Sequence, residues 1–263
     1  MIPFLRRKKE GPIFLDCYTS SHYAYNHAKI DHARKYIPEW WKREPAYLEG
    51  DKVTIKHCSA FTDYYATGIV IPLWGEVEIT VHPLGERDGT FSWVSSNLDF
   101  DLHSTAHGKA QWEGFGNDNL TNIKFVSPWI LKTREVVQFA WSQPTWSQPD
   151  TFNGLTALPG VMQFKTQGAT NINYVVESKA ETQTFNLQPL TPLAIMHPMT
   201  ERKVEIRHHF VTEEKLEHIG RRGGGMLLGA GEADVLHGSS ATLRKKKAAF
   251  WKKADELNKC PFK

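Results

Sequence analysis

The chain has 263 residues, 40% of them hydrophobic and 23% charged, with a net charge of +3. That length supports a full buried core, and no apolar run approaches the roughly 20 residues that a membrane-crossing helix needs, so no membrane partner is expected. Cys17, Cys58 and Cys260 are odd in number, widely separated and outside any Cys-x-x-Cys spacing, which argues against a disulfide framework or a zinc ribbon and for reduced thiols.

The charge is unevenly placed. Arg6, Arg7, Lys8 and Lys9 form one basic end, and Arg244, Lys245, Lys246, Lys247, Lys252 and Lys253 form the other, leaving the stretch between them net acidic. The basic amino end lacks the apolar stretch and small-residue cleavage site of a secretory leader. Residues 1–50 read as an aromatic and basic arm: Tyr18, Tyr23, Tyr25, Tyr36, Trp40, Trp41 and Tyr47 alternate with His and Lys without a sustained period. A short helix fits within Ser20 to Tyr36, and Pro38 and Pro45 interrupt any continuation. Rings at that density lie against another surface, because large apolar area left in water is costly.

Residues 51–210 carry strand signals. Val53 to His57, Gly68 to Trp74, Glu76 to Val81 and Phe91 to Val94 are short, rich in β-branched or aromatic residues and bounded by Gly, Pro or Asp. Val77, Ile79 and Val81 alternate with Glu76, Glu78 and Thr80, so one face points to a core. Further strands are expected at Asn122 to Val126, Val136 to Trp141, Gly160 to Lys165, Asn171 to Glu177, Thr184 to Leu187, Pro192 to His197 and Lys203 to Phe210. The fold class is therefore mainly β: an antiparallel β-barrel or jelly-roll-like sandwich with an extended N-terminal arm and a helical C-terminal tail. The repeated Trp141-Ser142-Gln143-Pro144 and Trp146-Ser147-Gln148-Pro149 suggest a Pro-punctuated loop whose tryptophans pack on the edge of the β domain.

Residues 211–263 form that tail. Thr212 suits an N-cap, with Glu213 and Glu214 facing the positive end of the helix dipole and Gly220 ending the helix. The glycines between Gly220 and Gly238 suit a connector, and a last basic helix is expected from Ala241 to Leu257.

Tests for chemistry narrow the field. Twelve histidines invite a metal site, yet there is no His-x-Asp or His-x-Glu. His103, His107 and Asp101, with Asp99 nearby, are the residues left to hold a metal if one is held. No Gly-x-Ser-x-Gly elbow and no phosphate loop with its lysine is present. The segment from Lys124-Phe125-Val126-Ser127-Pro128-Trp129 to Met199 (residues 124–199) resembles the carboxyl half of the dUTPase and dCTP deaminase β-fold, with Pro159-Gly160-Val161-Met162 at its first turn and Thr191-Pro192-Leu193-Ala194-Ile195 at its last strand. That resemblance implies an aspartate where Gln163 stands, a base-stacking tyrosine near Thr166 and an Arg-Ser-Ser loop at Ser127-Pro128-Trp129. An amide has no basic lone pair with which to activate water, so the scaffold is expected without its hydrolytic chemistry. The whole chain also resembles a group of uncharacterised tailed-phage proteins, through Cys58 to Trp74, Ser127-Pro128-Trp129 and Pro189 to Pro198.

These readings lead to an oligomeric, phage-encoded structural or assembly-related protein, located in a virion or the host cytoplasm, with no cofactor and no catalytic residue. Its partners are expected to be copies of itself and other phage proteins, met through Arg6, Arg7, Lys8, Lys9, Trp40, Trp41, Arg244, Lys245, Lys246 and Lys247. The alternatives are an enzyme on a cupin-like or dUTPase-like barrel using His103, His107 and Asp101, and a nucleic-acid-binding protein using its basic ends.

Overall fold

The computed structural model describes residues 11–83, 91–95, 120–147, 154–166 and 169–223. In chain order these form β1 (Ile13–Thr19), α1 (His22–His27), β2 (Asp31–His32), a 3-10 turn (Ala33–Tyr36), α2 (Glu39–Arg43), β3 (Tyr47–Leu48), β4 (Lys52–Val53), a second 3-10 turn (Ile55–His57) and α3 (Ser59–Thr67). Then come β5 (Ile69–Pro72), β6 (Val77–Val81), β7 (Phe91–Ser95), β8 (Leu120–Thr133), β9 (Phe139–Ser142), β10 (Leu155–Ala157) and β11 (Gly160–Met162). β12 (Ala169–Glu177), β13 (Gln183–Leu187), β14 (Pro192–Pro198), β15 (Val204–Phe210) and α4 (Glu213–Gly223) complete the described chain.

The strands make a five-stranded sheet β10-β12-β8-β1-β15, a second five-stranded sheet β11-β9-β14-β5-β2, a three-stranded sheet β13-β6-β7 and the hairpin β3-β4. Pairing is antiparallel throughout the described residues except between β1 and β15, which run parallel. Each five-stranded sheet keeps two edges, so among the described residues no sheet closes on itself and the expected barrel does not form.

One buried cluster takes side chains from all three larger sheets: Ile13, Leu15 and Cys17 of β1, Ile123, Phe125 and Leu131 of β8, Ile69 and Ile71 of β5, and Val77, Ile79 and Val81 of β6 among them. The alternation read in β6 is the one observed, with Val77, Ile79 and Val81 buried and Glu78 exposed. A smaller cluster lies on the other side of the second sheet. There Val70 of β5 and Ile195 of β14, whose chain neighbours face the main core, meet Ala33, Phe61 and Tyr65. The second sheet is thus apolar on both faces, which is why β5 reads as an unbroken buried run.

Three expectations are corrected. Residues 11–37 are not an arm. β1 lies inside the first sheet between β8 and β15, β2 pairs with β5, and Ala24, Ala28, Ile30 and Ala33 are fully buried. The 50/51 boundary falls within the turn of the β3-β4 hairpin, where Gly50 and Asp51 both have positive φ. Val53 to His57 is not one strand: after Val53 the chain bends into a 3-10 turn capped by Thr54, whose hydroxyl accepts from the Lys56 amide at 3.2 Å. Gly220 does not end the last helix, which continues to Gly223 and begins as expected, with Thr212 accepting from the Lys215 amide at 3.3 Å. The helix expected from Ala241 to Leu257 lies outside the described residues.

Gly68 marks the tightest contact between α3 and the second sheet. A Cβ there would stand 2.6 Å from Ile195 Cδ1, 2.7 Å from the Tyr64 carbonyl oxygen and 2.9 Å from Ala33 Cβ. The backbone carbonyl cannot retreat, because it accepts from the Gly68 amide that closes α3. Gly68→Ala is expected to lower unfolding stability by about 2–3 kcal/mol through overpacking. Gly11→Ala, in open space, serves as the neutral control in the same urea titration.

Candidate binding surfaces

Two groups of side chains stand out, one on each five-stranded sheet. The first is an aromatic cluster centred on Phe61 of α3. Trp41 stacks on Phe61 with centroids 5.1 Å apart and planes at 9°, while Trp40 and Trp146 meet the same ring edge-on at 5.7 and 5.4 Å. Tyr65 adds a tilted contact at 4.9 Å. Such pairs add stability beyond their buried area because ring edges and faces carry opposite partial charge. Phe61 is buried, but Trp40 is 38% and Trp146 42% exposed.

Sequence and backbone explain how these rings are held. Pro38 supplies the extended N-cap of α2, which carries Trp40 and Trp41 on successive positions, so one indole turns inward and its neighbour outward. Lys56, from the turn after β4, sits 4.0 Å over the Trp41 ring and donates to the Lys42 carbonyl at 3.3 Å, pinning the returning strap onto α2. On the other side, the Gln143 amide acts as a strand segment. Its Nε2 donates to the Leu155 carbonyl and its Oε1 accepts from the Ala157 amide, both at 3.1 Å. That anchors the turn carrying Trp146, whose carbonyl accepts from Trp40 Nε1 at 3.1 Å. Tyr65 and Ser147 share a further hydroxyl contact at 3.0 Å. The hairpin between α2 and α3 exposes Tyr47, Leu48 and Val53 by 55%, 54% and 64%.

The second group lies on the face of the first sheet turned from the core. Asp16 of β1, 8% exposed, accepts from His209 Nε2 at 2.8 Å and pairs with Arg207 Nε at 3.0 Å, both from β15. Tyr18 stacks on the His209 ring at 4.6 Å and 17°, and the Arg207 guanidinium lies 3.9 Å over Phe14. Burial, with Asp16 adding to it, pushes the Tyr18 phenol up to about 12. Lys132 stands opposite Asp16 in the register of β8 and β1. Chemically this is a clasp across the parallel pair, with the carboxylate already engaged by two β15 donors.

No family model, curated protein or solved structure matches this chain.

The residues expected from the sequence to bind partners fall unevenly. Trp40 and Trp41 come together in the aromatic cluster, Trp40 as an exposed ring and Trp41 as its support. His103, His107 and Asp101, and the basic groups Arg6, Arg7, Lys8, Lys9, Arg244, Lys245, Lys246 and Lys247, lie outside the described residues. Among the described residues no three His, Cys, Asp or Glu side chains converge as a metal site, and no helix is long and apolar enough to cross a membrane. Gln163 closes a local turn in which Thr166 donates its hydroxyl to the Gln163 side-chain oxygen at 3.3 Å. Ser127-Pro128-Trp129 lies within β8, at a register shift where the chain passes from Val126 opposite Asn171 to Ile130 opposite Ala169. Proline is tolerated there because a bulge removes the need for its missing N–H. The two Trp-Ser-Gln-Pro copies divide: Trp141 is buried in β9, whereas Trp146 is half-exposed. Sequence reasoning missed Phe61 and the Asp16 clasp. Phe61 sits in an unforeseen helix, and Asp16 meets partners more than 190 residues away.

Lys132 gives this polar face a measurable signature. It is 6% exposed, and burial pulls its ammonium down to about 8. An unfolded lysine titrates near ~10.4, so between about pH 8 and 10 the unfolded chain holds the proton that the folded protein has released, and raising the pH favours folding. Lys132→Met removes this dependence. From about pH 7.5 to 9.5 the wild type is expected to gain about 2 kcal/mol on the variant in urea unfolding. A constant difference across that range would contradict the assignment.

Proposed function

We propose that this chain is a non-catalytic binding protein, structural or assembly-related, that works as an oligomer. The two five-stranded sheets are read as the layers of a jelly-roll-like sandwich, and the resemblance to tailed-phage proteins supplies the setting, a virion component or a protein acting in the host cytoplasm.

The observation that carries this reading is the pair Trp40 and Trp146. Two indoles are held half-exposed over a buried ring, by a hydrogen bond from the Trp40 indole N–H to the Trp146 carbonyl and by Gln143 beneath. Rigid exposed tryptophans lose little side-chain freedom on association, and such residues dominate the energetics of protein–protein contacts. Their occupant in this reading is another protein of the particle presenting apolar side chains.

Quantitative mass spectrometry of purified particles tests the proposal. The protein is expected in fixed copy number, and the double variant Trp40→Ser, Trp146→Ser is expected to lower that number about tenfold or more, the loss of at least one tryptophan hot spot. Wild-type protein that is made during infection yet missing from particles would remove the virion reading. Light scattering tests the oligomer separately, and a strictly monomeric chain at high concentration would remove that part.

A further inference from the structure

β15 forms one edge of the first sheet, and among the described residues no strand lies beyond it. At seven residues it is the longest edge described, against three for β10 and β11, two for β2 and five for β7 and β13. Edges of this length are blunted by proline, by a bulge, by charged side chains or by a covering element, and β15 has the charges of Glu205 and Arg207 on one face. β15 contains no proline, and its register with β1 runs unbroken from Val204 to Phe210.

Two hydrogen bonds show which backbone groups the edge presents. The Lys203 carbonyl accepts from the Ile13 amide at 2.8 Å, and the Val211 amide donates to the Thr19 carbonyl at 2.9 Å. Residues 203 and 211 therefore turn their backbone groups toward β1, and so do the odd-numbered residues between them, because backbone direction alternates along a strand. Val204, Ile206, His208 and Phe210 turn theirs outward. The Phe210 end is occupied by α1, whose His22 and Tyr25 rings lie 4.3 and 5.6 Å from the Phe210 ring. What remains open among the described residues is Val204 to His208, with Ile206 at its centre.

We propose that β15 is the interface between two copies of this chain, pairing antiparallel with itself across a two-fold axis at Ile206 and joining the two five-stranded sheets into one. This rests on the oligomeric reading and names the contact that serves it. The charges and the extent of the open stretch together select the register. Glu205 and Arg207 share the outer face, and pairing centred on Ile206 sets each Glu205 opposite Arg207 of the second copy, twice over. Centring on Arg207 would oppose Arg207 to itself, centring on Glu205 would oppose Glu205 to itself and Lys203 to Arg207, and centring on His208 would run the second copy into the Phe210 end that α1 holds. Centring on Val204 would set Lys203 opposite Glu205, but it engages one end of the open stretch, which Ile206 bisects. Like charges directly opposite one another destabilise a sheet, whereas opposite charges support it. The two-fold arrangement is closed, so the edge is consumed and no fibre grows.

Sedimentation and disulfide trapping test this. Ile206→Pro deletes an outward amide while leaving the β1 ladder its own donors, and is expected to halve the mass of the wild-type assembly, with circular dichroism confirming the fold. In protein with Cys58 and Cys260 changed to serine, Ile206→Cys is expected to form a covalent dimer under mild oxidation, since residues facing each other across a hydrogen-bonded antiparallel pair have Cα atoms about 5.5 Å apart. Val161→Cys, exposed on the edge strand β11, is expected to form none. If Ile206→Pro does not fold, the trapping result decides, and failure of Ile206→Cys to cross-link overturns the inference. An oligomer that survives a folded Ile206→Pro overturns the inference alone, whereas a monomeric wild type overturns both it and the oligomeric reading.

Discussion

The parallel pairing of β1 with β15 is the constraint on which the rest depends. β1 is an interior strand whose two neighbours come from residues 130–133 and 204–210, so the first sheet is not completed until distant parts of the chain meet. Asp16 reinforces the junction by holding Arg207 and His209, and the segment leaving β1 completes it. Trp129, fully buried, donates its indole N–H to the Ala28 carbonyl at 3.0 Å, and the His208 ring contacts the Ile30 carbonyl at 2.8 Å. Those contacts lead the chain from the first sheet to β2 at the edge of the second. Breaking β1 away would therefore detach β15 from one sheet and loosen β2 at the edge of the other.

The strands with one covered face were readable. In β6 and β13 small and charged residues alternate with Val, Ile, Phe and Leu, and the period of two survives in the structure. β1 hides because both its faces are covered: Leu15 and Cys17 point to the core while Asp16 and Tyr18 are buried on the other side, so Ile-Phe-Leu-Asp-Cys-Tyr-Thr shows no alternation. Its parallel partner also lies beyond any local signal. α3 was hidden differently, since Ser59 to Thr67 holds β-branched and aromatic residues of weak helix propensity and is helical because Phe61 and Tyr65, one turn apart, reach the same cluster. The cap at Thr212 was legible because capping is local chemistry, whereas Gly220 was misread because glycine there serves close packing: a Cβ would stand 3.0 Å from Ile130 Cδ1.

The aromatic surface illustrates the same division. Adjacent Trp40 and Trp41 drew attention by composition alone, yet their different roles follow from α2 geometry and from Phe61. Trp146 joins them through a turn anchored by Gln143, whose place in the repeated Trp-Ser-Gln-Pro motif marks the loop but not its bonds to Leu155 and Ala157. On the opposite sheet, Lys132 is buried opposite Asp16, and Asn122 is buried further along the same strand, on a face that an ordinary sheet would either expose or fill with apolar residues. Asn122 satisfies its amide on the Tyr174 carbonyl at 3.2 Å. Two faces of one molecule thus differ in kind, one displaying rings and the other enclosing charge.

The place of β1 has a consequence for how the chain matures on the ribosome. Residues 13–19 emerge early, but their parallel neighbour at 204–210 is synthesised close to 190 residues later, which at a translation rate of about 5–20 residues per second leaves the amino-terminal strand waiting for roughly ten seconds or more. Until residues 130–133 arrive that apolar segment has no partner strand, its parallel neighbour comes later still, and folding of such non-local topologies is slow because loop closure must precede reward. A holding chaperone acting in that interval would have the side of β1 formed by Ile13, Leu15 and Cys17 to cover.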